Sequence, residues 1–442
     1  MKRHYLLTFA FVGILQFLNY SPGIAQKKAL YIPAKAMRVP DGNDYNSEES
    51  EFSYKRMAES DNIAIFWHKE FGKDPMANPD PAKRFDVQNA LRECERFYDY
   101  YVNDLKIVQK GQSLTDQYKM ILYVIGGKEQ TAFGGGVENK IGILWTPAVR
   151  MSKAPYGALA HELGHAFQYM SRSDAKAGPR GPIMEMSAQY MLWQVYPEWM
   201  TFENYHYVSY LKKTHFAFLH PQNMYHSPYV LEYWSEKHGK EFFGTLCRST
   251  QEGEDPVMTY KRLNNLSQEA FNDEMFEAAS RFMTWDLKRI EKVAAHYADK
   301  HSTKLTATEN GWYQVDSLNA PQNYGYNGIQ LAVPAGGKTV TVDFEGIAGV
   351  KGYSDVKTDK AGWRYGFVAH TQDGKRVYGK AAREAKGKAT FKLPKDTQYL
   401  WLVVSGAPAE HWPVAFGKQA AQQKEEQWPY RIKLTGTTLA EK

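Results

Sequence analysis

Apolar residues fall into two kinds of pattern along the chain, and the kind changes near residue 299. In the first part, short unbroken apolar runs alternate with helical periodicity. Ile63-Ala64-Ile65-Phe66-Trp67 and Met120-Ile121-Leu122-Tyr123-Val124-Ile125 have the length and content of buried strands. Between them a Pro/Asp-rich turn over 74–81 leads into a helical pattern. There Val87, Leu91, Cys94, Tyr98 and Tyr101 recur every three or four residues with charges interleaved. A third extended segment, 141–145, follows a glycine-rich turn and ends at Thr146-Pro147. Pro155 then opens a further helix, since proline is tolerated in a first turn. From about Met186 to Ala295 the pattern is mainly helical, interrupted by a Pro/His-rich connection near 220–228. Beyond 299, short β-rich segments at 328–333, 339–344, 363–369, 389–393, 399–404 and 430–434 are separated by Gly, Pro and Asp/Lys turns. That spacing predicts a β-sandwich. The chain reads as α+β, with one domain over 26–300 and a β-sandwich over 301–442, autonomous from about residue 303.

The amino terminus changes the picture of where the protein works. Lys2, Arg3 and His4 precede an apolar run over 5–18, and Gly23-Ile24-Ala25 is a small-residue cleavage site. Residues 1–25 are therefore expected to be a signal peptide; the break at Asn19-Tyr20-Ser21-Pro22 argues against a spanning helix. The mature protein is expected to be secreted or periplasmic, without a transmembrane segment. Losing Lys2 and Arg3 takes the formal charge from +6 to +4, and no Lys/Arg cluster is interleaved with aromatics, so nucleic acid is not an expected partner. Cys94 and Cys247 are too few for a disulfide framework or a thiolate zinc cage; they can pair or stay as buried thiols.

The chemistry concentrates in Ala160-His161-Glu162-Leu163-Gly164-His165-Ala166. On a helix, positions four apart share a face, so His161 and His165 can present both imidazoles to one metal ion. Glu162 lies beside them, placed to hold a water and accept its proton. Hydrolytic zinc takes three protein ligands and keeps a position open. Glu185 is the natural third, in the first turns of a second helix after a turn over 178–182. Its apolar neighbours favour a buried and hence paired acid.

This pattern, with nineteen residues between His165 and Glu185, resembles the gluzincin metallopeptidases, and the interval is that of their thermolysin-like members. The three strands before the first helix extend the likeness over about 60–290. The resemblance implies a zincin-like domain, with a mixed sheet and active-site helix followed by a helical subdomain. It also implies Zn2+ on His161, His165 and Glu185, with Glu162 as general base. Gln189 stands where those enzymes carry an Asp behind the ligands, and Gln can still hydrogen-bond a ligand imidazole. The oxyanion donor, a Tyr or His of the helical half in that family, would be Tyr225 or His226. Asp286 is a weaker candidate for orienting a ligand. Gly135-Gly136-Val137-Glu138-Asn139 resembles the aminopeptidase strand whose Glu grips a free amine, with Val137 in place of Met, and it also reads as a plain hairpin. The whole chain further resembles a group of secreted bacterial proteins of unknown function that join such a helix to a β-domain.

The expectation is a secreted zinc metallopeptidase acting on peptides or proteins, as an endopeptidase rather than an aminopeptidase. The alternative is a non-catalytic binder of glycans or surface proteins through the C-terminal domain. There Trp363, Trp401 and Trp412 would stack on sugars, although such residues also serve as sandwich core.

Overall fold

A computed structural model describes residues 27–335, 337–354, 357–417 and 424–441. The expected signal peptide lies outside the described residues, and among them no helix is long and apolar enough to cross a membrane. The first sheet contains β1 (Met57–Glu59), β2 (Ile63–Trp67), β3 (Met120–Ile125), β4 (Phe133–Val137) and β5 (Ile141–Pro147), in the order β1-β2-β3-β5-β4. The three predicted apolar runs form its parallel centre, and both edge strands pair antiparallel. Unbroken apolar runs suit this position because both faces are covered. Ile63, Ile65, Leu122, Val124 and Leu144 share a core with α1 (Val87–Asp99) and α2 (Gly157–Ala175). Ala64, Phe66, Ile121, Tyr123, Ile143 and Trp145 pack on the other face against Leu30, Ile32, Val39 and Tyr45, so the polar lead-in is a cover for the sheet.

Helices follow: α3 (Ile183–Val195), α4 (Trp199–Phe202), α5 (Asn204–Leu211), α6 (Tyr229–His238), α7 (Phe242–Ser249), α8 (Pro256–Leu263), α9 (Gln268–Phe282) and α10 (Glu291–Ala294). Asp255 and Ser267 cap α8 and α9 by accepting from the Met258 and Ala270 amides, the usual chemistry of a helix start. Cys94 and Cys247 are both free and buried, and burial pushes each thiol up to about 12, leaving them inert.

The strand-rich region comprises β6 (Thr306–Ala307), β7 (Trp312–Gln314), β8 (Tyr326–Leu331), β9 (Thr339–Gly346), β10 (Trp363–Thr371), β11 (Arg376–Tyr378), β12 (Lys386–Lys392), β13 (Thr397–Gly406) and β14 (Tyr430–Thr435). They form two antiparallel sheets, ordered β11-β10-β13-β8 and β12-β9-β14-β7-β6. Alternation sorts the side chains. Tyr365, Phe367, Leu400, Leu402 and Val404 of the first sheet share a core with Val340, Val342, Phe344 and Ile432 of the second. The intervening residues Val368, Trp401 and Val403 belong to the core of the helical half. Buried Arg364 joins the same seam, bonded to Asp273 at 2.6 Å and Glu269 at 2.7 Å on α9. The segment expected to be autonomous thus shares one whole sheet face with the helices.

Candidate functional site

Helix α2 has two unlike sides. Leu159, Ala160, Leu163, Ala166, Phe167 and Met170 are buried in the core, while His161, Glu162 and His165 line a cleft of about 1080 Å³. The two imidazoles, one turn apart, have ring centroids 4.9 Å from each other. Lys176, in the left-handed conformation, ends the helix and turns the chain towards α3, which packs back on α2. Glu185 sits in the first turn of α3. Its Oε2 lies 3.2 Å from His161 Nε2 and 3.1 Å from His165 Nε2.

The far sides of both rings are also engaged. His165 Nδ1 lies 2.9 Å from Gln168 Oε1, and His161 Nδ1 lies 2.9 Å from Gln189 Oε1. The orientation of the Gln168 amide is set by its nitrogen, which donates to the Met184 carbonyl and to Ser187 Oγ, both at 2.8 Å. Its oxygen therefore faces the imidazole, and an amide oxygen can only accept. His165 Nδ1–H is therefore the donor to Gln168. The two Nε2 atoms and the Glu185 oxygen lie within 4.8 Å of one another, close enough for ring protons or one shared cation to hold them together. This donor set fits zinc.

Electrostatics follow the same convergence. Burial disfavours the Glu185 anion, yet hydrogen bonds from His161 and His165 hold its carboxyl well below the usual range. Burial likewise opposes a charged His165, and Glu185 outweighs it, raising the imidazole. Glu162 is pushed up by burial, against the pull of the two imidazoles.

The predicted residues divide. Tyr225 lines the cleft, its ring nearly parallel to His161 at 6.4 Å, and burial with neighbouring Glu185 pushes its phenol up to about 12, so it stays protonated. His226 does not line the cleft: its Nδ1 lies 2.8 Å from Nδ1 of His206, so of the two adjacent candidates only Tyr225 faces the metal-ligand cluster. Glu138 is also outside the cleft. At a turn where it and Asn139 both have positive φ, its carboxylate accepts from the Tyr31 hydroxyl and, at 2.9 Å, from the Ala34 amide. Its carboxylate is thus engaged away from the cleft, at the turn between β4 and β5. Asp286 accepts from Tyr378 at 2.7 Å, in the seam between helices and strands. Gln189 is placed as expected. Trp363, Trp401 and Trp412, named for sugar stacking, are buried, and their indole nitrogens donate to the Trp428 carbonyl, the His301 carbonyl and Glu426 respectively.

Sequence reasoning missed Gln168, although its place three residues after His165 on one helix face was a usable signal. It also read β4 as a turn. β4 is an edge strand pressed onto α2, where a Cβ at Gly134 would come within 2.1 Å of the Glu162 carbonyl oxygen. Only glycine permits that approach. The wall formed by Trp199, Phe202, Glu203, Tyr205 and His206 was missed as well.

A family model described as a family of unknown function, DUF6055, matches residues 22–441. No curated protein matches the chain. A solved structure described as the structural basis for the promiscuous specificity of carbohydrate-binding modules from the β-sandwich superfamily aligns with 29% of this chain and 42% of its own length. The identity is 11% and the TM-score 0.14.

Proposed function

We propose that this chain, which belongs to the DUF6055 family by a match over nearly its whole length, is a secreted zinc metallopeptidase of zincin-like fold that cuts within peptide chains. The observation that carries the reading is the meeting of His161, His165 and Glu185 at one point on the wall of an open cleft, with a glutamine amide behind each imidazole. Bound by these three residues, zinc would supply Lewis-acid chemistry, polarising a substrate carbonyl and acidifying a water.

The chain's own groups do the rest. Glu162, lining the same cleft, takes the proton of the attacking water and delivers it to the leaving amine nitrogen. Tyr225 donates its phenol proton in a hydrogen bond to the oxyanion that develops on the substrate carbonyl. Among the described residues β4 is the last strand of its sheet, and Phe133 and Gly134 line the cleft, so an extended substrate can add along it as a further strand. With Glu138 held by Tyr31 and Ala34, the cleft's approach favours internal bonds over free amino termini. The alternative, a non-catalytic glycan binder, loses its named tryptophans to the core.

The experiment is metal analysis of the purified protein together with digestion of a peptide library blocked at both ends. One zinc per chain and internal cuts are expected. Stoichiometric metal retained in a His161→Ala/His165→Ala double variant, or no cleavage by the zinc-loaded protein, would overturn the reading.

A further inference from the structure

Beside the metal-ligand cluster, one wall of the cleft is aromatic. Phe202, 64% exposed, and Tyr205, 57% exposed, are the two most exposed aromatic side chains among the described residues, and both line this cleft. Large rings are usually withdrawn from water, so two of them exposed in the lining of one cleft mark a binding surface. Trp199 lies behind them, its ring centroid 4.8 Å from that of Phe202. The wall is also anchored to the active-site helix. A Cβ at Gly157 would come within 2.2 Å of the Trp199 ring, and Gly157 precedes His161 by one helical turn, about 6 Å along the axis.

One carboxylate holds the rings in place. Glu203 Oε2 accepts from Trp199 Nε1 at 2.9 Å and from the Tyr205 hydroxyl at 3.3 Å, and lies 3.5 Å from His206 Nε2. Burial raises this carboxyl, yet the bonds from His206 and Trp199 hold it below its ordinary value. With their polar edges drawn to Glu203, Trp199 and Tyr205 are fixed relative to each other, and Phe202 covers Trp199.

We propose that Trp199, Phe202 and Tyr205, positioned by Glu203, form the subsite that selects the substrate: a peptide with an aromatic side chain within a residue or two of the cleaved bond. This rests on the peptidase reading of the same cleft. The occupant is a peptide side chain because the shelf lines the same cleft as Phe133 and Gly134, the start of edge strand β4, which suits an extended backbone. A ring laid against these faces gains apolar burial and ring–ring contact.

Two measurements test it. In a blocked peptide library, wild-type protein should cut beside aromatic residues about ten- to a hundredfold more efficiently than beside alanine, by kcat/KM. Phe202→Ala, and more so Phe202→Ala/Tyr205→Ala, should bring that ratio down towards one. Glu203→Ala should lower it too, while Glu203→Gln, which can still accept from Trp199 and Tyr205, should restore most of it. Cleavage without aromatic preference, or a preference that survives the double variant, overturns the proposal. The second measurement is binding of a blocked phenylalanine peptide and its alanine twin to the Glu162→Gln protein, which removes turnover. If wild-type cleaves nothing, yet this variant favours the phenylalanine peptide through Phe202 and Tyr205, the peptidase reading fails and the subsite stands. Equal binding of the two peptides, or capture of glycans in their place through the same two residues, overturns the subsite.

Discussion

In the helical half, Phe202 and Tyr205 stand in solvent at a cleft wall, whereas in the strand-rich half Trp363, Trp401, Trp412 and Trp428 are all buried. Carboxylates divide in the same way. Glu269 and Asp273 neutralise the buried guanidinium of Arg364 in the seam between the halves, while Glu185 faces two imidazoles at an open cleft. Aromatic and acidic residues are plentiful in both regions, so their number does not locate function. What separates the regions is whether the polar atoms are already satisfied by neighbours. A Trp whose N–H donates to a carbonyl in the core has nothing to offer a ligand, whereas two imidazoles and a carboxylate meeting at an open cleft can be bridged by a cation.

The largest expected effect breaks the cleft side of this contrast. Replacing His161, His165 or Glu185 with alanine should remove stoichiometric zinc altogether, measured by elemental analysis of dialysed protein. Glu162→Gln should keep both metal and fold while lowering kcat by about 10²–10⁴-fold, since an amide cannot take up the proton. Retained turnover there would shift the base elsewhere.

The strand side is broken through the seam. Trp401→Ala should cost about 3–5 kcal/mol, because the indole is buried and its N–H bonds the His301 carbonyl. With a sheet face shared between the halves, the whole chain should melt in one transition in calorimetry, and that transition should move down as a unit. Two separated transitions would show that the strand-rich region stands alone.

A finer cut compares the two amides behind the metal ligands. Gln168→Ala should weaken zinc binding about 10–100-fold in competition with a chelator, and Gln189→Ala should do so less. Gln168 also bonds the Met184 carbonyl and so ties His165 to the turn that carries Glu185.

The smallest effect concerns pH. His215, whose carbonyl accepts from the Gln322 amide across the seam, has its imidazole lowered by burial from 6.5 to about 4. The folded state keeps it neutral while the unfolded chain takes up a proton. Its contribution is therefore complete above pH 6.5 and lost progressively as pH falls towards 4. Thermal midpoints should drop across that window, and His215→Gln should flatten the drop.

Local periodicity made much of the molecule readable in advance. Strands β2 and β3 have the predicted bounds, because an unbroken apolar run of that length is stable only when buried on both faces. His161, His165 and Glu162 were legible because a helix repeats every 3.6 residues, whatever surrounds it. Glu185 was legible from its interval and its apolar neighbours. Side-chain direction outside such repeats was not. Tyr225 and His226 are adjacent, yet one lines the cleft and the other turns to His206, and nothing local distinguishes them. Glu138 was read from a short motif, while its partners Tyr31 and Ala34 lie about a hundred residues earlier in the chain. The sequence by itself determined the chemistry that could be assembled, since repeat and residue type are local properties. Only the tertiary structure decided which groups face the cleft and which are occupied by neighbours, because long-range packing sets which polar atoms keep an open side.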